Sequence, residues 1–302
     1  MNEIICGDSL DVLKTLESES VDCVITSPPY WGLRDYGSDN QLGLEPHFNE
    51  YITKLCLIFD EVKRILKKEG TCFVNLGDTY SGNKEGKTDN KVSEYLKETT
   101  TRLHKKAVIQ EKCLCQIPAR FALAMTDRGW ILRNEIIWQK PNAMPSSVDD
   151  RFTVDFEKIF FFVQSPKYFF VPQRKPHKAV SIKRIEKPWH GKLTKGHALG
   201  GLKDGDMHKM CHPEGRNMRT VWSINTGSFS EAHFATFPEK LVEPMILAGC
   251  PKGGTVLDCF SGAATTGVVA KKFGRNYIGI ELNPEYVAMS NARLAKITPP
   301  LF

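Results

Sequence analysis

Short apolar runs alternate along this chain with longer stretches in which apolar positions recur three and four residues apart. Asn2 to Cys6 reads as a strand closed by Gly7 and Asp8, and the following segment places Leu10, Leu13 and Leu16 on one helical face. Val21 to Thr26 (VDCVIT) is apolar enough for a strand buried on both sides. Tyr51 to Lys67 shows helical spacing, with Lys67, Lys68 and Gly70 as a stop signal, and Thr71 to Leu76 (TCFVNL) reads as the next strand. Strand, helix, strand with buried strands predicts an α/β fold with a mostly parallel sheet.

The pattern then breaks. Gly77 to Lys112 is rich in Gly, Asn, Lys, Thr and Glu and reads as a long variable loop. Periodicity resumes with a helix near Pro118 to Arg128, a strand at Trp130 to Gln139, a loop around Pro141 to Ser147 and a strand around Ile159 to Val163. From Ser165 to Gly227 it fades again, and that stretch is expected to form a smaller separate lobe. Beyond it come a helix from Pro238 to Ala248, with Pro at its first position, and the strand Thr255 to Asp258. A small-residue helix from Gly262 to Phe273, the strand Asn276 to Glu281 and a closing helix from Pro284 to Lys296 complete a βαβ unit. The expected division is 1–164 and 228–302 as halves of one large domain, with 165–227 set apart.

Composition adds bounds. In 302 residues, 41% hydrophobic and 25% charged is a globular balance with material for a sizeable core. No apolar run reaches the roughly 18 to 20 residues of a membrane helix, and the N-terminus lacks a signal-like pattern, so a soluble cytoplasmic protein is expected. Nine cysteines, several inside apolar runs (Cys6, Cys23, Cys56, Cys72), suit reduced core residues. Cys113 and Cys115, and His208, Cys211 and His212, lack zinc spacing, so no metal is expected. Charge changes the picture more. Ser165 to Thr220 holds 13 Lys+Arg against 4 Asp+Glu, a local +9 in a chain whose total is +6. Such a concentration is the footprint of a polyanion partner, or else a solvated basic loop.

Two stretches carry candidate chemistry. In Thr26-Ser27-Pro28-Pro29-Tyr30-Trp31 the two prolines fix φ and remove two donors, so the segment is a stiff turn at a strand end. It offers carbonyl oxygens, a serine hydroxyl and aromatic faces, which could hold a flat amine-bearing ring, or it simply caps the strand. In the C-terminal unit Asp258 ends one strand, a loop with Gly262 opens a helix, and Glu281 ends the next strand. That layout binds a nucleoside cofactor at the carboxyl edge of a sheet, the second acid accepting from ribose hydroxyls. A single glycine in Phe260-Ser261-Gly262-Ala263-Ala264 favours a cofactor without phosphates.

Together these ends resemble the amino-group DNA methyltransferases of the permuted, β-type motif order. Thr26 to Trp31 is similar to their catalytic (D/N/S)PP(Y/F/W) motif, and Asp258-Cys259-Phe260-Ser261-Gly262-Ala263-Ala264-Thr265-Thr266 to their cofactor motif DPFxGSGTT. His233 to Leu241 is similar to the segment that contacts the methionine part of the cofactor. Cys259 stands in place of proline, and Ala263-Ala264 in place of Ser-Gly, which removes a position free to take φ > 0.

The resemblance implies a Rossmann-like methyltransferase fold, S-adenosyl-L-methionine as cofactor and double-stranded DNA as partner, with Ser27, Pro28, Pro29 and Tyr30 catalytic. The cofactor would be held by Asp8, Thr236, Phe237, Asp258, Phe260, Gly262, Thr265, Thr266, Glu281 and Asn283. Asp8 meets the adenine edge or merely starts a helix, and Phe260 lies beside the cofactor or fills core. DNA contacts are expected from Trp31, Arg174, Lys183, Arg184, Arg216 and Arg219. Base flipping follows, because the target amine is buried in a duplex. Ser at the first motif position points to cytosine N4 over adenine N6. The rivals are a DNA-binding homologue that has lost catalysis and a methyltransferase acting on RNA or a small molecule. A monomer or homodimer, working beside a cognate restriction endonuclease, completes the expectation.

Overall fold

The computed structural model describes residues 2–33, 41–82, 109–185, 212–227 and 237–298, with the backbone alone at 184–185. Packing divides the chain into two units, Met1–Phe170 with Thr220–Phe302, and Val171–Arg219.

In the larger unit the strands β1 (Asn2–Cys6), β2 (Val21–Thr26), β3 (Leu66–Leu76), β4 (Ile131–Gln139), β5 (Phe156–Val163), β8 (Val221–Ser223), β9 (Thr255–Asp258) and β10 (Asn276–Glu281) form one sheet. Its order is β1-β10-β9-β2-β3-β5-β4-β8. Among the described residues only β5 runs antiparallel to its neighbours; the other pairings are parallel. The mostly parallel expectation is met, and the sheet sets the end of β2 beside β9, with Cys23 opposite Val256 and Val24 opposite Leu257.

The helices of this unit are α1 (Ser9–Thr15), α2 (Phe48–Ile65), α3 (Ile117–Asp127), α5 (Glu239–Gly249), α6 (Thr265–Lys272) and α7 (Pro284–Ala295). Alternation along the buried strands shows why helices cover both faces. Val24, Cys72, Val74, Phe160 and Phe162 join one core with Leu13 of α1, Leu55 and Phe59 of α2 and Phe121 of α3, whereas Cys23, Ile25 and Phe73 are buried on the other side. Phe48, Tyr51, Ile52, Leu55, Phe59 and Val62 give α2 its buried stripe. Each such side chain contributes about 1.5 to 3 kcal/mol of burial.

Gly70 has a different role from the helix stop expected of it. Helix α2 ends at Ile65, and the chain enters β3 directly at Leu66. The ladder with β2 then skips, pairing Val21 with Leu66 but Cys23 with Thr71. In that bulge a Cβ on Gly70 would come within 2.5 Å of Leu66 Cδ1, so close approach excludes a side chain. Lys67 Nζ donates to Asp22 Oδ1 at 2.7 Å across the bulge. The base of the variable loop is also paired: Ser81 N donates to the Cys113 carbonyl and Cys115 N to that of Thr79. Residues 83–108 of that loop lie outside the described residues.

The smaller unit contains a two-stranded antiparallel pairing of β6 (Arg174–Lys175) and β7 (Arg216–Asn217), and the short helix α4 (Ala179–Ile185). Its basic segment at 186–211 is outside the described residues.

Candidate active site

At the carboxyl ends of β1, β10, β9, β2 and β3 lies a cleft of about 540 Å³. The Pro-Pro turn leaves β2 at Ser27 and forms one wall, with Ser27, Pro28, Pro29 and Tyr30 all lining the cleft. The turn is anchored from behind, since Tyr51 of α2 donates its hydroxyl to the Pro29 carbonyl at 2.8 Å. Gly43 closes on it too: at φ +102°, a Cβ there would meet the Tyr30 carbonyl at 3.0 Å. Among the described residues no donor reaches the carbonyl oxygen of Pro28. The Pro28 carbonyl is thus unengaged, in a residue that lines the cleft next to Ser27.

The opposite wall comes from the C-terminal unit, where Phe237, Phe260, Gly262, Thr265, Glu281 and Asn283 line the same cleft, with Asp8 at its edge. Glu281 organises the loop: Oε2 accepts from Gly262 N at 2.8 Å and Oε1 from Asn283 N at 2.9 Å. Burial raises its carboxyl pKa, and the backbone donors partly offset this. Asn283 caps α7 through Glu285 N at 2.8 Å, and Asp8 caps α1, its Oδ1 accepting from Leu10 N and Asp11 N. Asp8 thus starts a helix and borders the cleft at once.

Asp258 and Thr266 lie beneath this surface rather than on it. Asp258 is 1% exposed; Oδ1 accepts from Thr26 Oγ1 at 2.6 Å and Phe260 N at 3.1 Å, and Oδ2 from Thr266 Oγ1 at 2.8 Å. These bonds fasten the end of β2 to the cofactor-type loop across 232 positions of sequence. Burial dominates the charge balance and pushes the Asp258 carboxyl up to about 6. Ala264 precedes α6 with φ 55° and ψ 37°, the left-handed conformation for which the motif's glycine is suited.

Tyr30 is held by residues that sequence reasoning did not single out. Its hydroxyl donates to Glu157 Oε2 of β5 at 2.6 Å and accepts from Asn75 Nδ2 of β3 at 2.8 Å. Asn75 Nδ2 also donates to Glu157 Oε2 at 2.8 Å, and Lys140 Nζ pairs with Glu157 Oε1. Ser27 Oγ reaches the Tyr30 hydroxyl at 3.5 Å and Asn75 Nδ2 at 3.4 Å, the outer limit of this network. Burial, then the neighbouring Glu157 charge, raises the Tyr30 pKa well above its ordinary value. One signal was available: Asn75 is a polar residue in the otherwise apolar, buried run Cys72 to Leu76.

Trp31, expected to face DNA, is instead core. It is 5% exposed, donates Nε1 to the Glu45 carbonyl at 2.8 Å and meets Phe48 edge-on at 5.7 Å. Apolar packing and a satisfied N–H leave it no face for a base. Arg174, in the smaller unit, binds Asn217 Oδ1 at 2.8 Å and so fastens β6 to β7. Lys183 and Arg219 are exposed, Arg216 is half-buried, and nothing is described of the Arg184 side chain. Thr236 lies outside the described residues, as do residues 233–235 of the segment likened to the methionine contact.

The walls fit a nucleoside cofactor without phosphates. The basic residues lining the cleft are Lys54 and Lys140, and each is paired with a glutamate, Glu45 at 3.4 Å and Glu157. Among the described residues no lysine or arginine lines the cleft at the Gly262 loop.

A sheet of this order, with a nucleoside-type cleft and an acceptor turn facing it, defines a Rossmann-like transferase. A family model described as DNA methylase (N6_N4_Mtase) matches residues 21–292. Similar curated proteins include the Type II methyltransferase M.Cfr9I of Citrobacter freundii, 42% identical over 95% of this chain and 86% of its own length. M.SmaI of Serratia marcescens is 38% identical over 97% of this chain and 91% of its own. Among solved structures, the cytosine-N4-specific PvuII DNA methyltransferase aligns with a TM-score of 0.63 at 22% identity, covering 98% of this chain and 88% of that one. A putative DNA modification methylase of Thermus thermophilus, complexed with S-adenosyl-L-methionine, gives 0.59 at 22%, over 98% and 94%. The chain belongs to the N6/N4 family of DNA methylases. It is a DNA methyltransferase that takes S-adenosyl-L-methionine as its cofactor.

Proposed function

We propose that this methyltransferase modifies the N4 amine of a cytosine flipped out of duplex DNA. The observation that carries the reading is the open Pro28 carbonyl beside the Ser27 hydroxyl, both lining the cleft that the Gly262 loop shares. An exocyclic amine is a weak nucleophile because its lone pair is delocalised into the ring. Hydrogen bonds donated by that amine to Ser27 Oγ and the Pro28 carbonyl favour tetrahedral nitrogen and localise the pair. Fixed acceptors aimed at developing positive charge require no reorganisation during reaction. Bound S-adenosyl-L-methionine supplies an electrophilic methyl group on a sulfonium centre. Glu281 serves the ribose, Asp8 the adenine edge, and Phe260 with Phe237 the apolar walls; Asp258 and Thr266 hold the loop from below. Once methyl transfer is complete, the amine's surplus proton leaves to water, since serine is a poor base at neutral pH.

Serine at the first motif position supports cytosine over adenine, and the PvuII structural relative is itself cytosine-N4-specific. The local +9 charge supports a polyanionic substrate, with Lys183, Arg184, Arg216 and Arg219 serving phosphates or base edges and Arg174 stabilising the hairpin. A restriction endonuclease of matching specificity is the expected companion, as the Type II names of the relatives suggest.

Nucleosides from DNA treated with the enzyme and cofactor should show N4-methylcytosine by mass spectrometry; N6-methyladenine alone refutes the cytosine assignment. Replacing Pro28 or Tyr30 by Ala should abolish methylation with cofactor affinity kept within about threefold, a loss typical of removing oriented transition-state contacts. Full activity in either variant refutes the role of the turn.

A further inference from the structure

Beside Ser27 and Tyr30 the cleft is also lined by Glu157 of β5. Glu157 is ion-paired with Lys140, and a carboxylate has no hydrogen to donate. Both groups that meet its Oε2 must therefore turn donors toward it: the Tyr30 hydroxyl at 2.6 Å and the Asn75 amide nitrogen at 2.8 Å. Two consequences follow from counting hydrogens. Tyr30 has spent its single hydrogen on Glu157, so toward Asn75 and Ser27 its oxygen can only accept. A serine hydrogen directed at that oxygen, with Asn75 Nδ2 donating to Ser27 Oγ at 3.4 Å, leaves one lone pair of Ser27 Oγ for the cleft. Asn75 has turned its NH₂ to Glu157 and Tyr30, so its Oδ1 is the end left over. That oxygen is buried without a partner among the described residues, in a side chain that lines the cleft and is only 4% exposed. A flipped amide would press Oδ1 against the carboxylate, so the orientation is dictated electrostatically.

We infer that Glu157 is a specificity-determining positioning residue: through Tyr30 and Asn75 it makes the base end of the cleft acceptor-only, so that the site takes an amino group and rejects a carbonyl oxygen. The inference rests on the proposed amine methylation and says how the same cleft tells a base with an exocyclic amine from its keto counterpart. A carbonyl placed there would face Ser27 Oγ and the Pro28 carbonyl, with the Tyr30 hydrogen given to Glu157 and those of Asn75 to Glu157 and Tyr30. Sites that bind one polar group by hydrogen bonds discriminate strongly against its opposite, because the buried partners are left unpaired.

The test uses the full-length protein and a duplex containing its methylation site, located first by sequencing modified bases in DNA from expressing cells. The probe is the same duplex with the target base replaced by its keto counterpart, uracil for cytosine or hypoxanthine for adenine, as competitor. Wild-type enzyme should bind the amino duplex at least about tenfold more tightly than the keto duplex. In Glu157→Gln the amide can donate as well as accept, so discrimination should fall below about threefold and kcat by about a hundredfold. Cofactor affinity and melting temperature should stay near wild type. Asn75→Leu, which removes at similar volume the amide that links Glu157, Tyr30 and Ser27, should lose discrimination likewise and covers the case in which the Glu157 variant fails to fold. In a Tyr30→Phe background the Glu157→Gln substitution should cost much less than in wild type, because part of its route has gone. Wild-type discrimination retained in either folded variant overturns the inference. A wild-type enzyme that transfers no methyl group to DNA overturns the functional reading instead.

Discussion

Ala264 shows at single-residue scale what a motif departure costs. Its φ of 55° places a Cβ in the left-handed region, which costs an L-residue roughly 1 to 2 kcal/mol. Ala264→Gly should therefore raise unfolding free energy by up to about 1 kcal/mol, read from chemical denaturation, after the extra entropy that glycine gives the unfolded chain is set against it. Asp258 is a second residue with a measurable signature. Its folded pKa of about 6 lies above the ordinary value of 3.8, so the folded state holds the proton longer than the unfolded one. The stability that this carboxyl contributes is present in full below pH 4 and is lost as pH rises through about 6; Glu281 is shifted in the same direction. Relative to Asp258→Asn, wild-type unfolding free energy should fall by about 2 kcal/mol between pH 4 and 6, and a flat difference across that window would contradict the buried carboxyl. Single residues were also where sequence reading was strongest and weakest. The Ser-Pro-Pro-Tyr turn and Glu281 were legible because their chemistry depends on residue type at a strand end. Glu157 and Lys140 were not, since nothing in Phe156-Glu157-Lys158 or Gln139-Lys140 tells a surface charge from one aimed at a tyrosine two strands away.

Among elements, the strands β1, β2, β9 and β10 coincide with their sequence limits, because each is a short run closed by a glycine, proline or acid. β3 began five residues early, at Leu66, where a helix passes into a strand without a loop and charged residues occupy a bulge. Local pattern carries no information about such a bulge, since it depends on the partner strand. Pro238 likewise precedes its helix as the cap rather than opening it. The end of β3 sets a testable constraint. Gly77 lies against the Tyr30 ring, where a Cβ would approach Cε2 to 2.5 Å. Gly77→Ala should push that ring off Asn75 and Glu157 and lower kcat by about a hundredfold, the usual cost of misplacement by an ångström, with calorimetric cofactor affinity unchanged. Unaltered turnover would show that the ring position is not critical.

For the molecule as a whole, fading periodicity and basic composition set residues 165–227 apart as an expectation, and packing divides the chain at Val171–Arg219. Which of its side chains would serve the proposed DNA contact was not legible, because basic residues without a recognisable motif give charge and no geometry. Charge still predicts behaviour: Lys183→Ala should weaken DNA binding with kcat unchanged and make the log–log salt dependence shallower by about one unit, measured by titration at several ionic strengths. The bond from Thr26 to Asp258 has a consequence in time rather than in space. Its partners are 232 positions apart, and among the described residues β1 finds its only sheet neighbour in β10. At roughly 5 to 20 residues per second, β2 waits about ten to fifty seconds on the ribosome before β9 is made to cover its free edge. Through that interval the growing chain carries an apolar, unpaired strand edge open to aggregation, which identifies the nascent polypeptide as a natural client for chaperones.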